Sequence, residues 1–94
     1  MSKILFSEHF VITTNAKKVF SQHEIITALT RHLRCDWGSI CSADKKANNE
    51  ALKTGARILS CYTFRGGLSM WIITDAEDDN GIRTCTTILL PEDY

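Results

Sequence analysis

The stretch "RILSCYTFRGGLSMWIIT", residues 57–74, decides the fold. Two runs rich in β-branched and aromatic side chains flank Arg65-Gly66-Gly67, and glycine accepts positive φ at little steric cost. The stretch therefore predicts two strands joined by a tight hairpin. The second run is apolar on both faces, with Leu68, Met70 and Ile72 on one and Trp71 and Ile73 on the other. A strand that is apolar on both sides belongs inside a sheet.

Working outward, "DAEDDNG" (75–81) reads as an acidic loop closing on an Asn-Gly turn signal, and "IRTCTTILL" (82–90) as a third strand stopped by Pro91. Upstream, Ile4 to Thr14 is rich in β-branched and aromatic residues, densest at "HFVITT", and predicts an N-terminal strand. Asn15 marks a turn or short cap, and "NAKKVF" can make a helical turn. "SQHE" (21–24) is a capping box, because Ser21 can accept from the backbone three residues on while Glu24 reaches back. A helix over Gln22 to Leu33 follows, with Ile25, Ile26, Leu29 and Leu33 on its core face. "DWG" (36–38) ends it. Ser42 is placed to cap a second helix to about Thr54, with Asp44 in its first turn and Ala47, Ala51 and Leu52 as its apolar stripe. Gly55 is its stop signal.

These elements predict one α+β domain over residues 1–94. Its antiparallel sheet has three to four strands, a C-terminal meander joined by the N-terminal strand, and two main helices pack on one face. A chain of 94 residues buries only about 60 to 65 per cent of the surface its unfolded form exposes, so there is room for one core.

Formal net charge is zero, but residues 1–57 hold nine Lys/Arg against five Asp/Glu, and residues 58–94 two against six. The halves carry +4 and −4. Nucleic-acid binders usually present a net basic field, so nucleic acid is not the expected partner. The longest apolar runs fall far short of the roughly 20 residues that span a bilayer. Met1 to Phe20 lacks the basic start, apolar centre and small-residue cleavage site of a secretory signal, which points to the cytoplasm. In that reducing compartment Cys35, Cys41, Cys61 and Cys85 read as thiols rather than as two disulfides, and their spacing contains no zinc-binding pair.

Enzyme signatures are missing in turn. "HE" in "SQHEIIT" lacks the second histidine of a zinc peptidase helix, since position 27 is threonine. There is no G-x-S-x-G elbow and no glycine-rich phosphate loop opening a helix. No cofactor and no catalytic residue is assigned. Polar chemistry concentrates in "RHLRCDWGSICSADKKANNEALK" (31–53). His32, at the end of the first helix, can carry a proton that meets the helix dipole, and Asp36 follows one turn later as its natural counterion. Trp37 in a polar loop either plugs the gap between helix and sheet or anchors a partner. Asn48 and Asn49 are poor helix-interior residues, so each bonds to the loop at 36–40 or faces a ligand. His32, Asp36, Trp37, Asp44 and Asn48 are the candidate binding residues.

Three stretches, "RHLRCDWGSICSADKKANNEALKTGARILSCYTF", "MWIITDAEDDN" and "CTTILLPEDY", resemble a family of small bacterial proteins carried on plasmids and other mobile elements. Its members go under labels such as plasmid-related protein or type I restriction subunit M. The likeness covers about residues 25–94 and is most specific at "DWG", "ADKKANNEAL" and "TTILLPEDY". The family pattern has glycine before "DWG", where this chain has Cys35. A restriction methyltransferase would need an S-adenosylmethionine loop and an N-P-P-[FY] motif, and the sequence has neither. The resemblance thus implies a mobile-element protein and brings no mechanism with it.

The expectation is a non-enzymatic modulator that contacts another protein through the surface around His32, Asp36, Trp37, Asp44 and Asn48. The alternative is a small enzyme or ligand-binding domain using His32, Asp36 and a cysteine in a helix–sheet pocket. A homodimer built through an edge strand is compatible with either.

Overall fold

The computed structural model describes residues 5–94. The elements run β1 (His9–Ile12), α1 (Thr14–Val19), α2 (Gln22–Leu33), α3 (Ser42–Thr54), β2 (Ile58–Thr63), β3 (Ser69–Thr74) and β4 (Cys85–Leu89). Short 3₁₀ turns occupy Arg65–Gly67 and Pro91–Asp93. The four strands form one sheet in the order β1-β4-β3-β2, so β3 is interior as its two apolar faces require.

The expected hairpin is present: β2 and β3 pair antiparallel from Ile58↔Thr74 to Thr63↔Ser69, and Gly66 and Gly67 take φ of 66° and 76° in the link. β3 and β4 are also antiparallel, with Ile72 opposite Ile88. The sheet is nevertheless mixed, because β1 runs parallel to β4, His9 opposite Cys85 and Ile12 opposite Ile88. This corrects the purely antiparallel expectation. Alternation makes β4 run with β2, and three helical segments carry the chain from β1 back to the end of the sheet at which β1 began. No turn links β1 to β4, so nothing local in the sequence fixes their relative direction.

β1 is also shorter than its run of β-formers. Ile4 lies outside the described residues, and at the other end the Thr13 side chain accepts from the Ala16 N–H and starts α1, with Asn15 inside that helix. The Ser21/Glu24 capping box of α2 is formed in both directions. α3 begins one residue earlier than its expected cap: Cys41 is the N-cap, without a side-chain bond, and Ser42 is helical.

Inward-facing residues of β2, β3 and β4 meet all three helices on one face of the sheet. Phe20, Ile25, Tyr62, Met70, Ile72 and Ile88 build the larger cluster, and Trp37, Ala51 and Ile58 a smaller one with Leu5. The buried residues of α2 are Ile25, Ala28 and His32, whereas Ile26 is 54% exposed. In α3 they are Asn48 and Ala51, with Ala47 exposed. Both helices are therefore rotated from the faces that apolar spacing alone suggests, each bringing a polar side chain, His32 or Asn48, into the interior.

Candidate functional site

α2 ends in a reversal that positions everything in the 31–48 region. The Cys35 N–H donates to the His32 carbonyl and the Asp36 N–H to the Arg31 carbonyl, the two bonds of a Schellman cap, with Cys35 left-handed at φ 66°. Glycine is the residue that takes this conformation without a Cβ penalty, and here a cysteine holds it. The chain then lies alongside β2. The Trp37 carbonyl accepts from the Cys61 N–H, the Ser39 N–H donates to the Cys61 carbonyl at 2.7 Å, and Gly38 forms a parallel bridge with Cys61. A Cβ on Gly38 would sit 2.0 Å from the Cys61 carbonyl oxygen, so only glycine allows this approach.

Two side chains finish the closure of this edge. Asn48 donates through Nδ2 to the Leu59 carbonyl at 2.8 Å and accepts at Oδ1 from the Leu59 N–H. Trp37, 4% exposed, packs with Ala51 and Ile58 and donates its indole N–H to Asn49 Oδ1 at 3.0 Å. The two asparagines sit badly in an isolated helix and well here: one substitutes for a neighbouring strand, and the other receives the buried indole.

His32 is fully buried and lies edge-on to Trp37. Its Nδ1 is 2.5 Å from Ser60 Oγ and its Nε2 is 2.8 Å from Thr74 Oγ1. The line continues from Thr74 to Thr86 and on to Ser7, a buried hydrogen-bonded seam across the sheet. Along β2 the inward residues run Ile58, Ser60, Tyr62, so this seam separates the two apolar clusters. Burial holds the imidazole pKa down to about 4, and His32 is neutral at ordinary pH. It does not pair with Asp36. Asp36 instead accepts from Arg31 Nε at 2.7 Å and from the Gly38 N–H, and both interactions hold its carboxyl below the usual range. Tyr62 donates to the Asp36 carbonyl at 2.6 Å, and Arg31 lies over the Tyr62 ring.

The five candidate residues are thus divided. His32, Trp37 and Asn48 are buried, and Asp36 and Asp44 are exposed. The concavity nearest them, bordered by Asp44, Asn48, Arg57 and Leu59, holds about 140 Å³, below the ≈300 Å³ at which small-molecule sites begin. A general base must reach its substrate, and His32 has both nitrogens engaged in the interior. Among the described residues no group of three or more His, Cys, Asp or Glu side chains converges as metal ligands, and no helix is long and apolar enough to cross a membrane.

Uncovered apolar side chains occur at Phe6 and Tyr94, and as a continuous row at the opposite edge of the sheet. All four residues of β1 are exposed, with Phe10 at 48%, Val11 at 49% and Ile12 at 39%. On the helix side, a groove of about 570 Å³ runs between β1 and α2, lined by Phe10, Ile12, Ile25, Ile26 and Leu29. "HFVI" is legible as a strand, but its edge position depends on sheet order, which sequence spacing does not give. Searches against protein-family models, curated proteins and solved structures return no significant match to this chain.

Proposed function

We propose that the chain is a non-enzymatic protein-binding module of the kind carried on mobile DNA, and that it binds by strand addition at the β1 edge. One observation carries this reading: the two sheet edges are treated differently. The β2 edge is closed by Asn48 and by the main chain of residues 37–39, whereas β1 presents Phe10, Val11 and Ile12 to solvent. An open edge with large apolar side chains is a template for another strand, and proteins that do not use such an edge usually blunt it with charge, proline or a bulge. β1 carries no Asp, Glu, Lys or Arg and no proline. In this reading residues 32–48 are the clamp that closes one edge, and the partner is taken up at the other.

A photo-cross-linking amino acid at position 10, compared with one at position 44, tests the reading in expressing cells. Intermolecular protein adducts at position 10 and few at 44 are expected. Adducts confined to position 44, or none at position 10, overturn it.

A further inference from the structure

We propose that the strand received at β1 is β1 of a second copy, paired antiparallel about a two-fold axis at Val11; this rests on the preceding reading of the edge and names its partner. The His9 N–H donates to the Thr84 carbonyl and the Thr13 N–H to the Ile88 carbonyl, so these residues direct their main-chain groups toward β4. By alternation along a strand, Phe10 and Ile12 direct theirs outward. With the axis at Val11, Phe10 of each copy lies opposite Ile12 of the other. Each of these two pairs can exchange both N–H···O bonds, which is the narrow pair of an antiparallel ladder. No other centre within the four-residue strand places the two outward-facing residues opposite each other.

The side chains fit the same register. Phe10 and Ile12 share the helix face with Ile88, so the second copy's Ile12 and Phe10 land at the mouth of the β1–α2 groove. Aromatic against β-branched is a favourable cross-strand pair. An in-plane antiparallel join keeps both helical layers on one side of an eight-stranded sheet. It brings the two α2 helices toward each other with Ile26 at the seam, which accounts for a large apolar side chain left 54% exposed.

Charge distinguishes a second copy from a foreign strand. Glu8 is exposed just before β1, and exposed Lys17 and Lys18 lie on α1 just after it; none is in an ion pair among the described residues. Antiparallel self-pairing sets Glu8 beside the start of the second copy's α1, acid toward base at both ends of the join. Growth stops there, because among the described residues the other edge of the sheet, β2, is already closed, so the product is a closed dimer rather than a fibre. Four residues per strand plus the groove make a small interface, and dissociation in the region of ~10 µM is expected.

Sedimentation velocity of the full chain from a few micromolar to several hundred should show a monomer–dimer equilibrium. Ile12→Pro removes an outward N–H together with the apolar side chain that meets the second copy's Phe10, and Phe10→Lys puts charge at the seam. Each should weaken the dimer at least tenfold without changing the circular dichroism. With the exposed Cys41 replaced by serine, Val11→Cys should give, on mild oxidation, a disulfide-linked dimer that neither the parent chain nor His9→Cys gives, because in this register only Val11 meets itself. This cross-link and the wild-type equilibrium read the proposal even if Ile12→Pro does not fold. A wild type that stays monomeric at all concentrations overturns the proposal, as does a dimer indifferent to both substitutions and without the Val11 cross-link. Adducts of position 10 with a different protein, alongside a monomeric purified chain, overturn the self-pairing and leave the binding edge standing.

Discussion

Asn48 holds both main-chain groups of Leu59, donating to its carbonyl at 2.8 Å and accepting from its N–H at 3.4 Å. A helix side chain here stands in for a missing β-strand. Asn48→Ala strips two hydrogen bonds from a half-buried edge and is expected to cost about 2 kcal/mol. Asn48→Asp keeps an acceptor for the N–H but sets a carboxylate oxygen against the Leu59 carbonyl, so its loss should be at least as large. Urea denaturation measures both. Turbidity rising with concentration in Asn48→Ala would show the reopened β2 edge pairing between molecules. Wild-type stability in both variants would rule out this role for Asn48.

Gly38 makes a sharper case, because the obstacle is main chain. Its Cβ would meet the Cys61 carbonyl at 2.0 Å and the Tyr62 ring at 2.8 Å, at φ 76°. Gly38→Ala should destabilise by more than about 3 kcal/mol, the sum of left-handed strain and the lost bridge. Gly66 is the internal control: its φ is 66° but nothing lies within 4 Å of its Cβ, so Gly66→Ala should cost only about 1 kcal/mol. Equal losses in the two variants would mean that the 37–39 segment does not press on β2.

Much of this architecture is readable from local chemistry. Ser21 and Glu24 mark the start of α2 and Gly55 the end of α3, while Arg65-Gly66-Gly67 joins β2 to β3; each is a short-range signal with a definite geometry. What escapes is set by long-range contact. β1 meets β4 across more than 70 residues with no turn to fix its direction, and the rotation of α2 follows from His32 finding Ser60 and Thr74. Apolar periodicity counts Ile26 as core and it is exposed, while His32, read as part of a binding surface, is buried. For the candidate site, the asparagines announce themselves as misfits in a helix, but Leu59 as the partner of one and Trp37 as the partner of the other appear only once β2 and the 36–40 loop are laid side by side.

Arg83 is buried, and among the described residues no carboxylate pairs with it. Its guanidinium donates to the carbonyls of Ala51, Ala56 and Asp75, tying the C-terminal turn of α3 to the loop before β4. Three acceptors in separate segments match a forked donor better than a point charge, and a cation favours a helix C-terminus. Arg83→Met should lose about 3 kcal/mol and Arg83→Lys less, with thermal midpoints in the order wild type, Lys, Met. A lysine variant as stable as wild type would show that charge alone suffices.

His32 makes the fold sensitive to mild acid. Its folded pKa is about 4 and its unfolded value 6.5, so between those limits the unfolded chain binds a proton that the folded chain refuses. Stability from this residue is complete above pH 6.5, falls as pH drops through 6 and 5, and levels off below about 4. The total loss is roughly 3 kcal/mol at 1.36 kcal/mol per unit. The carboxylates with lowered pKa, Asp36, Glu24 and Asp93, act in a lower window, from the usual carboxylate range downward, so the two contributions separate. Unfolding free energies at half-unit steps from pH 7.5 to 4 should slope upward with pH in the wild type. The slope between 6.5 and 4.5 should vanish in His32→Gln, which can still hydrogen-bond to the two hydroxyls but carries no titrating proton. A flat wild-type profile over that range would mean that the imidazole has water or a compensating charge beside it, and its desolvation within the buried seam would have to be abandoned.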